Sequence, residues 1–306
     1  MQVIETIRAM QHWADAQRAA GRRIGFVPTM GFLHDGHLRL VELARSRADL
    51  TVVSIFVNPL QFGPREDFDR YPRDLQGDRR KLEAKGVDVL FVPLAEEMYP
   101  EGFQTVVEVR EVTQGLCGAS RPTHFRGVTT VVTKLFLAVK PHIAVFGEKD
   151  FQQLVTVRRM VKDLNFDVEV VAAPIVREAD GLAMSSRNAY LSPTERAAAR
   201  SLSQALAEAR AAFERGERCA ETLRNLARRR LQDEPLANVD YVELVDAETL
   251  RPISSVARPA LLALAAFFGS TRLIDNCLLD PFAAASAATG DVREQQPSEL
   301  PTEGSV

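Results

Sequence analysis

Two histidines, His34 and His37, stand three residues apart in the segment PTMGFLHDGH, although the whole chain has only five histidines. The segment follows an apolar run at 24–27 and precedes a helix-like stretch, which predicts a strand-to-helix turn. The first turn of a helix offers unpaired N–H groups and the positive end of its dipole, and both favour phosphate. Gly31 and Gly36 would let the backbone approach such an anion closely. The segment is therefore a candidate phosphate site, in a chain without a P-loop or a GxGxxG motif.

Two other interpretations of the histidine pair remain open at this point. The side chains could be ordinary polar residues of a loop, or they could bind a metal ion. Zinc-binding histidines on a helix usually have i and i+4 spacing, and no third ligand lies close to this pair in the sequence. The pair by itself favours a phosphate site and leaves the other two interpretations open.

Two further segments place cations and hydroxyl groups where ligands are expected to bind. FGEKDFQQ, at 146–153, follows a strand-like run and opens a helix, so Lys149 would project a compact positive charge into the same crevice. DGLAMSSRN, at 180–188, supplies Ser185, Ser186 and Arg187 near the expected junction of two domains. Any one of these residues could be a solvated surface group. Together they could hold a triphosphate, and three such segments at one face of a sheet favour nucleotide binding.

Alternating strand-like and helix-like segments between residues 24 and 175 must position these groups. Apolar, β-branched runs occur at 24–27, 51–57, 87–92, 143–146 and 168–172, and amphipathic helices are predicted at 36–49 and 150–164. Such alternation is typical of a parallel sheet covered by helices on both faces, where ligands bind at the carboxyl ends of the strands. We expect an α/β fold in which residues 1–175 form a Rossmann-like, doubly wound domain.

The pattern changes after Pro193. Amphipathic helices are predicted at 193–216 and 219–232, and strand-like runs follow at 239–245, 260–268 and 272–279. These elements predict a smaller C-terminal α+β domain at 176–280. The last residues, 281–306, are rich in Ala, Ser, Pro and Glu and have one aromatic residue, so they are predicted to be a disordered tail.

Length and composition exclude several classes of protein. The chain has 306 residues, enough for two domains, with 46% hydrophobic and 26% charged residues. Its formal net charge of −3 gives no reason to expect a nucleic-acid or membrane partner. The three cysteines lie far apart, which indicates neither a disulfide framework nor a zinc site. The first ten residues, MQVIETIRAM, mix charged and apolar residues, which is not typical of a secretory segment, and the apolar run at 260–268 is too short to span a bilayer. We therefore expect a cytoplasmic protein.

Six motifs, in this order, resemble those of the pantoate–β-alanine ligase family: PTMGFLHDGH, VNPLQFGPREDFDRYPR, RPTHFRGVTTVVTKLF, FGEKDFQQ, DGLAMSSRNAYL and RLIDN. The resemblance extends over residues 2–279. The HxGH element alone marks only a broader nucleotidyltransferase superfamily, which includes the class I aminoacyl-tRNA synthetases, whereas the whole set is specific to the ligases. Thr123 and His142 stand where glycine and aspartate are frequent in relatives, and neither is at an implied site.

The resemblance implies a two-step reaction. ATP and pantoate first give pantoyl adenylate and pyrophosphate, and the amine of β-alanine then displaces AMP to give pantothenate, a precursor of coenzyme A. It also implies that ATP is a substrate, that Mg²⁺ is carried by the ATP phosphates, and that the protein is a homodimer. The partners are then the three small molecules, and the domain at 176–280 would close over the ATP site.

The resemblance further implies roles for individual residues. The catalytic groups are expected to be His37, in the general-acid position, with His34, Lys149, Ser185, Ser186 and Arg187. The ATP-binding residues are expected to be Met30, Gly31, His34, Gly36, His37, Gly147, Glu148, Lys149, Asp150, Val176, Met184, Ser185, Ser186 and Arg187. Pantoate is expected to bind Gln61 and Gln153, and Gln61 is also expected to contact β-alanine. No protein ligand is expected for the metal ion.

The loop at 58–73 is long and rich in proline and charge. It could be an exposed connector, but we favour a lid that keeps water away from a hydrolysable acyl adenylate.

Two rival functions of the whole protein also remain. A nucleotidyltransferase would leave the nucleotide on its product, and a regulatory ATP-binding module would show no turnover. The complete motif set and the two glutamines favour the ligase.

Overall fold

The larger sheet of the protein places the predicted strands side by side. The structure, a computed structural model, describes residues 1–64 and 66–282. In chain order the six strands are β1 Gln2–Ile4, β2 Ile24–Thr29, β3 Leu50–Ile55, β4 Val89–Phe91, β5 Ile143–Gly147 and β6 Glu169–Ala173. They are all parallel and lie in the order β1-β4-β3-β2-β5-β6. The chain reverses its direction across the sheet between β2 and β5, and at such a point the carboxyl ends of the strands open a crevice.

Helices cover both faces of this sheet, so the predicted doubly wound architecture is confirmed. In chain order they are α1 Ile7–Ala19, α2 Asp35–Arg45, α3 Leu75–Ala84, α4 Ala95–Met98, α5 Cys117–Ser120, α6 His124–Val139 and α7 Phe151–Asp163. Alternate strand residues face opposite cores, as the two-residue period of a strand requires. Phe26, for example, packs in the core formed with α1, α6 and α7, whereas its neighbour Val27 packs in the core formed with α2 and α3.

Helix α6 is an element that the sequence pattern did not predict. Its segment HFRGVTTVVTKLFLAV is rich in Val and Thr, which favour strands. Here most of the helix is buried, and Thr129 and Thr130 donate hydrogen bonds to the carbonyl oxygens of Phe125 and Arg126, at 2.8 and 2.7 Å. The free energy gained by burying the apolar surface of α6 against β2 and α7 therefore outweighs the weak local preference of its Val and Thr residues for a strand.

The C-terminal part forms a second, smaller layer of α+β structure, as predicted. Its antiparallel strands are β7 Ala237–Asp246, β8 Ala260–Phe268 and β9 Thr271–Leu279, and its helices are α8 Pro193–Ala199, α9 Ser201–Glu214 and α10 Ala220–Gln232. The continuous apolar run of β8 reflects burial on both faces. Leu262 and Leu264 pack with α9 and α10, whereas Leu261 and Ala263 join the core of the larger sheet.

Some details differ from the sequence-based expectations. The helix predicted at 193–216 is interrupted at Arg200, although both of its parts, α8 and α9, pack in the same core. Strand β1 was not predicted, because three residues are too few to show a pattern. The predicted tail lies, from residue 283 onward, outside the described residues. Among the described helices, none combines the length and the apolar character needed to cross a bilayer.

Candidate active site

A cleft opens at the switch point between β2 and β5. The carboxyl ends of these two strands form its floor, and the segment that follows β6 forms one wall. The predicted site residues that line it are Met30, His34, Gly36, His37, Gln61, Gly147, Lys149, Asp150, Gln153, Val176, Met184, Ser185, Ser186 and Arg187. A second cavity, between the two sheets, shares Lys149, Gln153 and Arg187, among other residues, with the cleft.

The loop after β2 is shaped by a buried carboxylate from α3. Asp78 is 1% exposed, and its two oxygens accept hydrogen bonds from the backbone N–H groups of Phe32 and Leu33, both at 2.7 Å. Burial raises the pKa of Asp78, although the two N–H groups oppose this shift. Gly31 has a φ of +84°, a conformation that suits glycine, and its missing side chain leaves room for Ile55. This support holds the loop against the start of α2.

His34 and His37 occupy the first turn of α2, as the spacing predicted. His34 is the N-cap, and its backbone N–H donates to Nδ1 of His37 at 3.3 Å. Because Nδ1 of His37 accepts, a neutral His37 carries its proton on Nε2 and offers a donor there. The two ring centroids are 4.0 Å apart.

Both histidines are held in the neutral state. Burial, followed by the nearby charge of Lys149, lowers the pKa of His34 to about 4. Burial also lowers the pKa of His37 well below its usual value, and His34 and Lys149 add to this effect. Nδ1 of His34 is buried and has no hydrogen-bond partner in the described part of the chain.

The end of β5 supplies the cation of the cleft. Nζ of Lys149 lies 3.7 Å from Oδ2 of Asp150, and the Lys149 side chain is 21% exposed. Its main chain is fixed from the smaller sheet, because Nδ2 of Asn276 on β9 donates to the carbonyl oxygens of Glu148 and Lys149, both at 2.9 Å. Gln153, in the first turn of α7, also lines the cleft.

The segment after β6 contributes two serines and an arginine. Ser185 caps the 3₁₀ turn Ser186–Tyr190 by accepting from the Arg187 N–H at 3.2 Å, and Ser186 Oγ donates to the Phe32 carbonyl at 3.2 Å. The second contact joins this segment to residues 30–34, the connection between β2 and α2, which is called the histidine loop below. The Arg187 guanidinium pairs with Asp67 of the loop at 58–73, through two hydrogen bonds of 2.9 Å.

Gln61 is held by its neighbours at the start of that same loop. Its Oε1 accepts from Nδ2 of Asn58 at 3.1 Å, and its Nε2 lies 2.9 Å from the Met30 sulfur. Its main-chain carbonyl receives Nδ1 of His124 at 2.9 Å and a guanidinium nitrogen of Arg121 at 3.2 Å. Burial, followed by the charge of Arg121, lowers the pKa of His124 to about 4, so His124 is also neutral.

The structure therefore brings together most of the predicted residues, with two exceptions. Gly31 and Glu148 do not line the cleft: the first shapes a turn, and the second presents its carbonyl to Asn276. Conversely, the sequence-based prediction missed Asn58, Tyr71, Arg121 and His124, all of which line the cleft. Each of the four lies in a motif that carried the resemblance, and that position was the available signal.

Comparison with known proteins identifies the family to which the fold belongs. The family model described as pantoate-beta-alanine ligase matches residues 2–278. The chain belongs to this family. The pantothenate synthetase of Heliobacterium modesticaldum is 58% identical over 280 residues, covering 92% of this chain and 100% of the relative. That of Geobacter sulfurreducens is 57% identical over 279 residues, covering 91% of this chain and 99% of the relative.

Solved structures of the ligase family are similar to this chain over most of its length. The pantothenate synthetase of Thermus thermophilus has a TM-score of 0.87 and 50% identity, covering 92% of this chain and 100% of that one. A pantoate-beta-alanine ligase from Francisella tularensis has a TM-score of 0.74 and 34% identity, covering 91% of this chain and 97% of that one. The Francisella ligase is complexed with beta-gamma ATP and beta-alanine.

Proposed function

We propose that the cleft at the switch point condenses pantoate with β-alanine through a pantoyl adenylate, using ATP, and that the residues lining it have the roles set out below. Membership of the ligase family assigns the overall reaction to this chain. The observation that supports the site is that the histidine loop, the Lys149 turn, the Ser185–Arg187 segment and the amides of Gln61 and Gln153 meet in one cleft.

In the first step a pantoate carboxylate oxygen attacks the α-phosphorus of ATP, and the bond to the bridging oxygen of pyrophosphate breaks. Negative charge then builds up on the phosphate oxygens. Nε2–H of His37, the ammonium group of Lys149 and the guanidinium of Arg187 are donors that would stabilise it, because preorganised donors act most strongly on developing charge. His34 and the serines of the Ser185–Arg187 segment would complete the phosphate contacts, and Asp150 would accept from a ribose hydroxyl.

The pantoate side of the cleft presents neutral amides, and Arg121 beside them is paired with Glu66. Gln61 and Gln153 can donate to and accept from the pantoate hydroxyl and carboxylate groups without neutralising the attacking oxygen. The orientation of Gln61 is fixed by Asn58 and by the Met30 sulfur. The chain therefore contributes alignment here, which favours attack by the bound carboxylate.

Mg²⁺ would arrive on the ATP phosphates. In residues 1–64 and 66–282, no three His, Cys, Asp or Glu side chains are grouped as they would be in a metal site. The donors that face the cleft are imidazole, ammonium, guanidinium, hydroxyl and amide groups, with Asp150 as a carboxylate beside them. This set suits phosphate oxygens, and a Mg²⁺ ion that keeps most of its waters needs few protein ligands.

In the second step the β-alanine amine attacks the acyl carbon, the bond to the AMP oxygen breaks, and the amine loses a proton. The loop at 58–73 would act as a lid over the intermediate, since it is joined to Arg121 and Arg187, two arginines that line the cleft. Gln61 would contact β-alanine as well as pantoate.

The same proposal includes three properties of the whole protein: a boundary between two domains at residue 175, a homodimer, and a cytoplasmic location.

The proposal is tested by incubating the protein with ATP, Mg²⁺, pantoate and β-alanine and omitting one component at a time. We expect pyrophosphate from ATP and pantoate without β-alanine, limited to about one equivalent per site. Free AMP and pantothenate should accumulate only when β-alanine is present. A nucleotide that stays on the product would indicate a nucleotidyltransferase, and binding of ATP without turnover would indicate a regulatory module.

A further inference from the structure

Asp67, in the middle of the loop at 58–73, occupies one whole edge of the Arg187 guanidinium. Its Oδ2 accepts from Nε and its Oδ1 accepts from Nη2, both at 2.9 Å, which is the bidentate geometry that arginine forms with carboxylates. The Asp67 side chain is 12% exposed and that of Arg187 is 27% exposed. Burial alone would raise the pKa of Asp67, but the hydrogen bonds from Arg187 lower it below its usual value. The pair is therefore ionised on both sides.

The same loop also supports the face of the guanidinium. The Cζ of Arg187 lies 5.6 Å from the ring centroid of Tyr71, which is 6% exposed. A carboxylate on the edge and a ring against the face together define the plane of the guanidinium. Among the described residues, Nη1 of Arg187 donates no hydrogen bond, and Arg187 is one of the residues that line the cleft.

The residue before Asp67 makes a parallel contact with a second arginine of the cleft. Glu66 accepts from Nε and Nη2 of Arg121, at 2.7 and 2.5 Å, and Arg121 in turn donates to the main-chain carbonyl of Gln61 at 3.2 Å. Two consecutive carboxylates of one loop thus anchor an arginine on the phosphate side and another on the glutamine side. Docking of the loop and placement of these arginines are therefore linked.

We propose that Asp67 is a positioning residue for adenylation, which acts through Arg187 by turning its free edge toward the phosphates. A guanidinium attached by a long side chain loses rotational freedom when it is fixed, and the ion pair meets this cost before charge develops in the transition state. Arg187 can then donate to developing charge without reorganising. The inference rests on the proposed contact between Arg187 and the phosphates.

The test compares Asp67→Asn with wild type in a single-turnover assay of pyrophosphate formation from ATP and pantoate. The amide keeps the shape but loses the charge, so we expect a rate about 10- to 100-fold lower, the usual effect of losing a charge-assisted hydrogen bond. ATP affinity, measured by calorimetry without pantoate, should stay within about threefold of wild type or become tighter, because a negative charge near the phosphates is lost. Asp69→Asn is the matched control, since Asp69 is exposed on the same loop, and its rate should equal that of wild type.

Coupling to Arg187 separates positioning from a general effect on the loop. In an Arg187→Gln background, Asp67→Asn should cause no further loss of rate, because the group that it positions is gone. Asp67→Glu keeps the carboxylate, so its rate should lie between those of Asp67→Asn and wild type. If Asp67→Asn melts at a much lower temperature than wild type, Asp67→Glu replaces it in the comparison of the two backgrounds. Equal losses in both backgrounds, or a wild-type or faster rate for Asp67→Asn, would overturn the inference. A further result would also overturn the inference: unchanged pyrophosphate formation together with more AMP released in the absence of β-alanine. That result would mean that Asp67 only helps the loop to protect the acyl adenylate from water. Failure of wild type to form pyrophosphate would instead refute the proposed function.

Discussion

At the scale of single residues, the cleft holds neutral imidazoles beside fixed cations. His34, His37 and His124 all have a lowered pKa, with burial as the largest cause in each case. A neutral His37 still donates through Nε2, because its Nδ1 accepts from the backbone. An incoming polyphosphate would raise the pKa of this imidazole, since opposite charge favours the protonated form. The site can thus adjust its charge to the bound anion.

His37→Ala is expected to slow pyrophosphate formation by about a hundredfold or more, which is the usual contribution of a positioned acid. The melting temperature should stay close to wild type, because a half-buried cleft residue contributes little packing. Synthetic pantoyl adenylate should restore much of the lost pantothenate formation, since the second step starts from an activated acyl group. His12→Ala, at an exposed position on α1, is the control. A collapsed fold, recovery with Zn²⁺, or equal slowing of both steps would contradict this role.

The lowered pKa values also predict how stability changes with pH. The pKa of His124 is about 4 in the folded protein, whereas an unfolded histidine titrates near 6.5. As the pH falls below about 6.5, the unfolded chain binds the proton first, so the folded state loses stability until the pH reaches about 4. Between pH 7.5 and 5.0 this loss is about 2 kcal/mol for one such histidine. Urea unfolding at several pH values measures this loss: between about pH 7.5 and 5.0, the free energy of unfolding of His124→Gln should fall by less than that of wild type, and the difference should be about this amount. Equal falls in the two proteins would contradict the lowered pKa of His124.

At the scale of elements, the pantoate side of the cleft depends on how closely α6 packs against the 3₁₀ turn Pro59–Gln61. The contact is made at Gly127, where an added Cβ would lie 2.2 Å from the Leu60 carbonyl oxygen and 2.6 Å from the Gln61 nitrogen. Both of these atoms belong to the main chain and cannot turn aside. The glycine therefore sets the distance between the helix and Gln61.

Gly127→Ala is expected to destabilise the protein by about 1–3 kcal/mol, the usual cost of overpacking, although alanine normally stabilises a helix. The displaced turn should raise the KM for pantoate more than the KM for ATP in the pyrophosphate assay. The control is Gly115→Ala, since nothing lies within 4 Å of a Cβ at that position. An unchanged KM for pantoate with lowered stability would show that Gln61 does not follow the turn.

At the scale of the whole molecule, the smaller sheet takes part in the site through β9. The motif RLIDN places three contacts along one strand. Arg272 pairs with Asp240 at 2.6 Å, Asp275 pairs with Arg177 at 2.7 Å, and Asn276 donates to the Glu148 and Lys149 carbonyls. The last contact joins the two sheets at the turn that carries Lys149.

Asn276→Ala is expected to lower the free energy of unfolding by about 1–3 kcal/mol, because it leaves two carbonyls without their donor. The rate of pyrophosphate formation should fall as well, since the Lys149 turn loses its anchor. Arg251→Ala removes another contact between the two parts of the chain, an ion pair with Glu111 whose side chains are 73% and 75% exposed. This control should change the stability by less than about 1 kcal/mol. Similar effects of the two substitutions would mean that the anchor has no special role.

The sequence by itself determined the parallel sheet, the small α+β layer and the position of the site segments. These follow from short-range signals: the period of apolar residues along a strand or helix, and the rule that loops after parallel strands meet at one edge. The resemblance added the individual side chains, most of which line the cleft.

Only the tertiary structure decided which groups touch across long separations in the chain. Asp67 and Arg187 are 120 positions apart, and nothing in either local segment predicts their pairing. The helical state of α6, with its strand-like composition, was likewise set by burial. The positive φ of Gly31 and the contact of the Glu148 carbonyl with Asn276 are further details that only the structure supplies, whereas ATP binding by these two residues stays a prediction. Local preferences are properties of a few residues, whereas such contacts depend on the packing of the whole chain.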